Sequence, residues 1–143
     1  MQLRIYQEEA THAAIAALGK GQHPVLQLAT GTGKSLIIAA LAEHYKELGK
    51  RTWVLTHVQQ LVKQNAATYE RYTGIKPGIV CAGLNAKDIN ESVTFATIQS
   101  MLGVLPVIQA PQVIIIDEAH RVPHNEGEPT LYETILRRYP AAQ

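Results

Sequence analysis

Short apolar segments alternate with helical patterns along this chain, and this alternation constrains the fold more than any other feature of the sequence. The apolar segments are "PVLQLA", "RTWVLTH", "PGIVCAG", "SVTFAT" and "QVIIID". Several are apolar at nearly every position, which is typical of strands buried on both faces of a parallel sheet. We therefore predict an α/β fold, a doubly wound and mostly parallel sheet with helices on both faces.

The segments between these strands carry the spacing of helices. "YQEEATHAAIAALGKG" and "KSLIIAALAEHYKELGK" have apolar residues at helical intervals, and the second is predicted to end at Gly49. A third helix is predicted from Val58 to about Tyr72, a short one at "IQSMLGVL", and a last one at "LYETILRRY". The polar segment "LNAKDINE" is predicted to be a turn or loop. Since no repeat or linker interrupts the pattern, we expect residues 1–143 to form one domain.

Composition excludes several classes of protein. A formal net charge of +1 gives no electrostatic indication of a nucleic-acid partner. The single cysteine, Cys81, cannot form an intramolecular disulfide and suits a reducing compartment. No segment approaches the roughly 18 apolar residues that cross a bilayer, and "MQLRIYQEEATH" lacks the apolar centre of a signal peptide. We expect a cytoplasmic protein without a membrane partner.

The segment "LQLATGTGKS" places a glycine-rich turn between a predicted strand and a predicted helix. Gly31 and Gly33 would let backbone N–H groups approach phosphate oxygens, at a helix N-terminus that also favours negative charge. Lys34 could reach the β and γ phosphates, and Ser35 could ligate Mg²⁺. The usual phosphate loop has a further glycine where this chain has Leu28. We nevertheless predict a nucleotide site here in preference to a purely structural turn.

A second polar feature follows the last predicted strand, in "VIIIDEAH". Asp117 and Glu118 would lie at the carboxyl end of that strand, where open α/β sheets bind ligands. One carboxylate could hold Mg²⁺, and its neighbour could orient and deprotonate an attacking water. Acidic residues often end strands, and the pair alone is therefore weak evidence. It becomes informative because a phosphate loop is predicted on the same sheet.

Four segments, in this order, resemble motifs I, Ia, Ic and II of superfamily 2 helicases of the DEAD/DEAH-like group: "ATGTGKS", "VLTHVQQLVKQ", "VTFATIQSM" and "DEAH". "LRIYQEEA" resembles the nucleotide-base motif upstream of motif I in many of them. The resemblance covers nearly the whole chain. It implies the N-terminal RecA-like lobe of a P-loop NTPase, in which binding and hydrolysis of Mg-ATP drive movement on DNA or RNA.

The resemblance also implies roles for individual residues. ATP would be bound by Arg4, Gln7, Thr30, Gly31, Thr32, Gly33, Lys34 and Ser35. The catalytic residues would be Lys34, Asp117, Glu118 and His120, with Mg²⁺ held by Ser35 and Asp117. The nucleic-acid backbone, with DNA favoured over RNA, would be contacted by Thr56, His57, Gln60, Thr97, Gln99 and Ser100. An arginine often follows the histidine of motif Ia, and Val58 stands there in this chain.

Proteins of this group also have a "TATP"-like motif III and a second RecA-like lobe with arginine fingers, and these 143 residues contain neither. The resemblance therefore implies that the second lobe is a missing partner. We expect the chain alone to bind Mg-ATP, to hydrolyse it slowly and not to unwind duplexes.

Other interpretations of the sequence stay open. The lobe could belong to a restriction or remodelling translocase that does not separate strands, or it could be a non-enzymatic module that binds a nucleotide to regulate a partner; a P-loop kinase fits less well. His120 and His124 could suggest a transition-metal site, but Pro123 between them opposes the helix that would align them. Trp53, in an apolar strand, and Cys81 are interpreted as packing residues.

Overall fold

The protein is described by a computed structural model that covers residues 3–20 and 34–117. Its helices are α1 (Ile5–Gly19), α2 (Lys34–Glu47), α3 (Gln59–Thr73) and α4 (Ile98–Val104). Its strands are β1 (Thr52–Thr56), β2 (Gly78–Cys81), β3 (Ala86–Lys87), β4 (Val93–Thr97) and β5 (Val113–Ile116). The predicted strand "PVLQLA" and the predicted helix "LYETILRRY" lie outside the described residues.

The described strands form one sheet in the order β3-β2-β4-β1-β5. Strand β1 pairs in parallel with β4 and β5, and β2 pairs in parallel with β4. Only β3, a two-residue strand within the segment predicted to be a loop, is antiparallel among the described strands. The prediction of a mostly parallel sheet is confirmed, and the carboxyl ends of four strands therefore meet at one edge.

Alternating side chains of the central strands pack on opposite faces of the sheet. Trp53 and Leu55 pack with α4 on one face, whereas Val54 and Phe95 pack with α2 and α3 on the other. Burial of both faces explains why these strands are apolar throughout. The predicted doubly wound arrangement is confirmed, and α1 packs on the outer side of α2 through Ala14 and Leu41.

Local chain geometry fixes where the elements that carry the site begin and end. Gly74 ends α3 in the left-handed conformation, with φ of 75°, and its N–H donates to the Glu70 carbonyl at 2.7 Å. The Arg51 guanidinium donates to the Glu91 carbonyl at 2.7 Å and so ties the start of β1 to the segment before β4. Within residues 3–20 and 34–117, no helix has the length and apolar character needed to span a membrane.

Candidate functional site

A buried charge pair lies at the carboxyl edge of the sheet, where α2 begins. Asp117 directly follows β5, and its N–H donates to the Leu55 carbonyl of β1 at 2.9 Å. Lys34, the first residue of α2, places its Nζ 2.6 Å from Asp117 Oδ1. The Asp117 side chain is 1% exposed and the Lys34 side chain 34% exposed. The structure therefore brings together the lysine of the predicted phosphate loop and the carboxylate of the second predicted motif.

Asn65 of α3 joins the second residue of α2 to the same carboxylate. Its Oδ1 accepts a hydrogen bond from Ser35 Oγ at 2.7 Å, and its Nδ2 donates to Asp117 Oδ2 at 2.9 Å. Asn65 is buried, with 1% of its surface exposed. We refer to Lys34, Ser35, Asn65 and Asp117 as the nucleotide cluster.

Asn65 is not among the site residues predicted from the sequence, although one signal was present. Asn65 shares a helical face with Val62, Ala66 and Tyr69, all of which are buried. A polar residue on the apolar face of a helix needs a buried hydrogen-bond partner. The spacing alone could not show that its partners lie on α2 and at the end of β5.

Lys34 and Asp117 form a close ion pair. The Lys34 ammonium lies against Asp117 Oδ1, at a separation of 2.6 Å. A carboxylate this deeply buried requires a nearby cation, because burial strongly disfavours an isolated charge. Lys34 supplies that cation. Because a third of its side chain is exposed to solvent, Lys34 can also turn towards another anion.

The donor atoms of the cluster fit Mg²⁺. Ser35 Oγ, Asn65 Oδ1 and both Asp117 carboxylate oxygens are hard oxygen ligands, and Mg²⁺ typically takes one or two carboxylates, waters and substrate phosphates. Mg²⁺ at Asp117 Oδ1 would take the place of the Lys34 ammonium, which lies against that oxygen. Ser35 and Asp117 therefore lie in one cluster, and their role as Mg²⁺ ligands stays a prediction.

The two predicted contacts to the nucleotide base, Arg4 and Gln7, lie at the start of α1 and bind each other. Gln7 is buried, and its Oε1 accepts the backbone N–H of Arg4 at 2.8 Å, which caps the start of α1. The Arg4 residue is exposed. Their roles towards adenine stay predictions. The other predicted ATP and catalytic residues lie outside the described residues: Thr30, Gly31, Thr32, Gly33, Glu118 and His120.

A groove of about 410 Å³ lies along the same edge of the sheet, beyond the ends of β1, β2 and β4. It is lined by His57, Gln59, Cys81, Ala82, Gly83, Thr97, Gln99 and Ser100. Four of the six predicted nucleic-acid contacts are in this set: His57, Thr97, Gln99 and Ser100. The structure therefore brings the three predicted contacts of motif Ic and one of motif Ia to one concave surface.

The two remaining predicted contacts do not line the groove. Thr56 is 1% exposed, and its Oγ1 accepts the Val58 N–H at 3.3 Å at the start of α3. Gln60 is exposed, but its neighbour Gln59 lines the groove instead, where its Nε2 donates to the Gly83 carbonyl at 3.4 Å. Neither Gln59 nor Gly83 was predicted from the sequence, because the contact between them joins residues 24 positions apart and a local pattern does not identify such neighbours.

Neutral hydrogen-bonding groups dominate the groove. Thr97 Oγ1 donates to Ser100 Oγ at 2.8 Å, and the Ala82 N–H donates to the same oxygen at 3.0 Å. Among the described lining residues there is no lysine, arginine or carboxylate. Such a surface can hydrogen-bond a phosphate backbone but brings little charge to it.

The residues interpreted as packing residues are buried. Trp53 is 0% exposed within β1, and Tyr69 of α3 is also 0% exposed. Cys81 is 2% exposed, which confirms its packing role, although its position at the end of β2 also borders the groove. Neither aromatic ring is available as a stacking platform.

The solved structures that resemble this fold include two restriction-modification enzymes and a helicase. The chain is 21% identical to a nuclease-deletion mutant of the Type ISP restriction-modification enzyme LlaGI, solved with a DNA substrate mimic, with a TM-score of 0.63 over 84% of this chain and 15% of that one. It is 22% identical to the ATP-dependent Type ISP restriction-modification enzyme LlaBIII bound to DNA, with a TM-score of 0.64 over 85% of this chain and 10% of that one. It is 27% identical to a hypothetical ATP-dependent RNA helicase from Sulfolobus tokodaii, with a TM-score of 0.59 over 78% of this chain and 37% of that one.

The chain thus spans well under half the length of each of these relatives. No curated protein matched the sequence. The family model described as "Type III restriction enzyme, res subunit" matches residues 1–143. The chain belongs to this family, and its fold is that of the N-terminal RecA-like lobe of superfamily 2 helicases and ATPases.

Proposed function

We propose that this chain is the ATP-binding lobe of a nucleic-acid-dependent motor that couples Mg-ATP binding and hydrolysis to movement on DNA. The observation that carries the proposal is the buried contact between Lys34 and Asp117, with Ser35 held beside them. A lysine, a hydroxyl and a carboxylate at the carboxyl edge of a parallel sheet are the groups that phosphate and Mg²⁺ require.

The residues of the cluster have separable tasks in this proposal. Lys34 turns from Asp117 to the β and γ phosphates, which its partly exposed side chain permits. Ser35 and Asp117 offer oxygens to Mg²⁺, which when bound neutralises charge on the phosphates. Glu118 orients the attacking water and His120 links the nucleotide to the nucleic-acid side, both as implied by the resemblance.

DNA is the favoured track. The family is named for a restriction enzyme, and two structural relatives are restriction-modification enzymes solved with DNA or a DNA mimic. These similarities favour the translocase form of the proposal, in which the motor moves on duplex DNA without separating its strands. The neutral groove suits contact with the DNA backbone.

The chain alone is proposed to turn over slowly. In related NTPases an arginine supplied across the cleft contributes about 10³–10⁵ in rate. In the motors that this chain resembles, a second RecA-like lobe supplies it. The chain alone is therefore expected to bind Mg-ATP but to hydrolyse it slowly.

The proposal is tested first by the binding of a fluorescent ATP analogue with and without Mg²⁺. The release of phosphate from ATP is then measured with and without duplex DNA. We expect Mg²⁺-dependent binding and slow hydrolysis that DNA stimulates. Mg-ATP binding with no response to DNA would instead support the non-enzymatic regulatory module. Absence of ATP binding in a folded chain would refute the proposal.

A further inference from the structure

The amide of Asn65 occupies a position that the functions implied by the sequence do not use. It accepts from Ser35 with one atom and donates to Asp117 with the other, at 2.7 Å and 2.9 Å. These are the two residues proposed to hold Mg²⁺. An asparagine fits because one side of its amide is an acceptor and the other a donor, whereas a carboxylate could not donate to Asp117.

The helix that carries Asn65 also borders the groove. Gln59, the first residue of α3, lines the groove, and Asn65 lies two turns further along the same helix. A shift of α3 at Asn65 is therefore passed along a continuous helix to the groove wall.

The interface between α2 and α3 is closely packed and carries a second polar link. Small residues, Ala39 and Ala42 of α2 and Ala66 of α3, pack in the same buried cluster. Tyr69 Oη donates to Glu43 Oε2 at 2.8 Å, so a second polar link between the two helices lies one turn beyond Asn65. Burial and this hydrogen bond raise the pKa of Tyr69 well above its usual value, which keeps the donor protonated.

We propose that Asn65 is a positioning residue that joins the Mg²⁺ ligands to the groove wall; this inference rests on the proposed nucleotide function. When Lys34 leaves Asp117 for a phosphate, the carboxylate adjusts to its new cation. Asn65 is bound to both Asp117 and Ser35, so it adjusts with them, and α3 carries the change to Gln59. Asn65 acts through its neighbours and does not itself contact the reacting atoms.

The first test is the effect of Mg²⁺ on ATP affinity, expressed as the ratio of the dissociation constants without and with Mg²⁺. We expect Asn65→Ala to reduce this ratio about tenfold, because hydrogen bonds to two Mg²⁺ ligands are lost. Affinity without Mg²⁺ should stay close to that of the parent chain. A residue that only supported packing would weaken binding equally under both conditions.

The second test uses the sole cysteine, Cys81, as a reporter of the groove. Its thiol is buried at the groove wall, so its rate of labelling by a thiol reagent reports local opening. We expect Mg-ATP to change this rate in the parent chain and in the control Gln64→Ala, which alters an exposed neighbour on α3. The same addition should leave the rate unchanged in Asn65→Ala.

Several outcomes separate the possibilities. If Asn65→Ala does not fold, Asn65→Ser replaces it in both tests, with the same expected results. The serine side chain keeps a polar atom but is too short to reach both partners. An unchanged Mg²⁺ ratio in the Asn65 variant, or a Cys81 labelling rate that Mg-ATP does not affect in the parent chain, overturns the inference. A parent chain that binds no ATP overturns the proposed function, and the two failures are therefore distinguishable.

Discussion

The nucleotide cluster and the groove lie on the same edge of the sheet but differ in how they are built. The cluster is charged, Asn65 and Asp117 within it are buried, and each of its polar side chains is held by a partner on another element. The groove is open and neutral, and it is lined by hydroxyls, amides and backbone. The cluster is therefore suited to a small ligand of high charge, and the groove to an extended backbone contacted at many weak points.

This difference has an energetic consequence. Contacts to charged, buried groups contribute about twice as much as neutral ones, and an unpaired partner is costly. Single changes in the cluster should therefore have large effects on one ligand. Single changes in the groove should have small effects, because many neutral contacts share the binding.

Asp117→Asn should have the largest effect. It removes the carboxylate charge that balances Lys34 and is proposed to bind Mg²⁺. A charged contact to Mg²⁺ that contributes up to about 3 kcal/mol is lost, so we expect Mg-ATP affinity to fall about a hundredfold. Isothermal titration of the variant measures the change. The control is Asp88→Asn, an exposed carboxylate beside β3; equal affinities in the two variants would remove Asp117 from the site.

Lys34→Met should have an intermediate effect, of opposite sign for two ligands. ATP affinity should fall about tenfold, because a charged contact to phosphate is lost. Affinity for Mg²⁺ alone should rise, since the cation that lies 2.6 Å from Asp117 Oδ1 is removed. Titration with each ligand checks both signs, and Lys46→Met in the last turn of α2 is the matched control. A fall in both affinities would contradict competition between Lys34 and Mg²⁺.

Gly83→Ala should have the smallest effect, confined to the groove. A Cβ at this position would collide with the end of the Gln59 side chain, which is exposed and can move away. We expect duplex DNA affinity to fall about threefold, which corresponds to one weak neutral contact. Mg-ATP affinity should not change.

The control for this change is Gly103→Ala in α4, where a Cβ meets no atom within 4 Å. Fluorescence anisotropy with labelled duplex DNA measures both variants. If Gly83→Ala weakened Mg-ATP binding as strongly as DNA binding, the separation between cluster and groove would fail.

Much of the fold followed from local pattern. The segment "RTWVLTH" contains β1, "IQSMLGVL" contains α4, and the helix predicted from Val58 to about Tyr72 is observed at Gln59–Thr73. These elements were predictable because the spacing of apolar residues, and the glycine or proline that ends a helix, are visible within a short stretch of sequence. Strand β3 was missed, because two residues in a polar segment pair only when β2 lies beside them.

The sequence by itself predicted which residues would carry the chemistry at the strand ends and helix starts. Lys34 and Asp117 could be identified because a phosphate loop and an acidic strand end are local patterns whose meaning depends on adjacent residues. Only the tertiary structure decided that Asn65 joins partners 30 and 52 residues away, and that Gln59 faces the groove in place of Gln60. The physical reason is that a hydrogen bond depends on distances of about 3 Å, which packing of α2, α3 and the sheet sets and which no local pattern encodes.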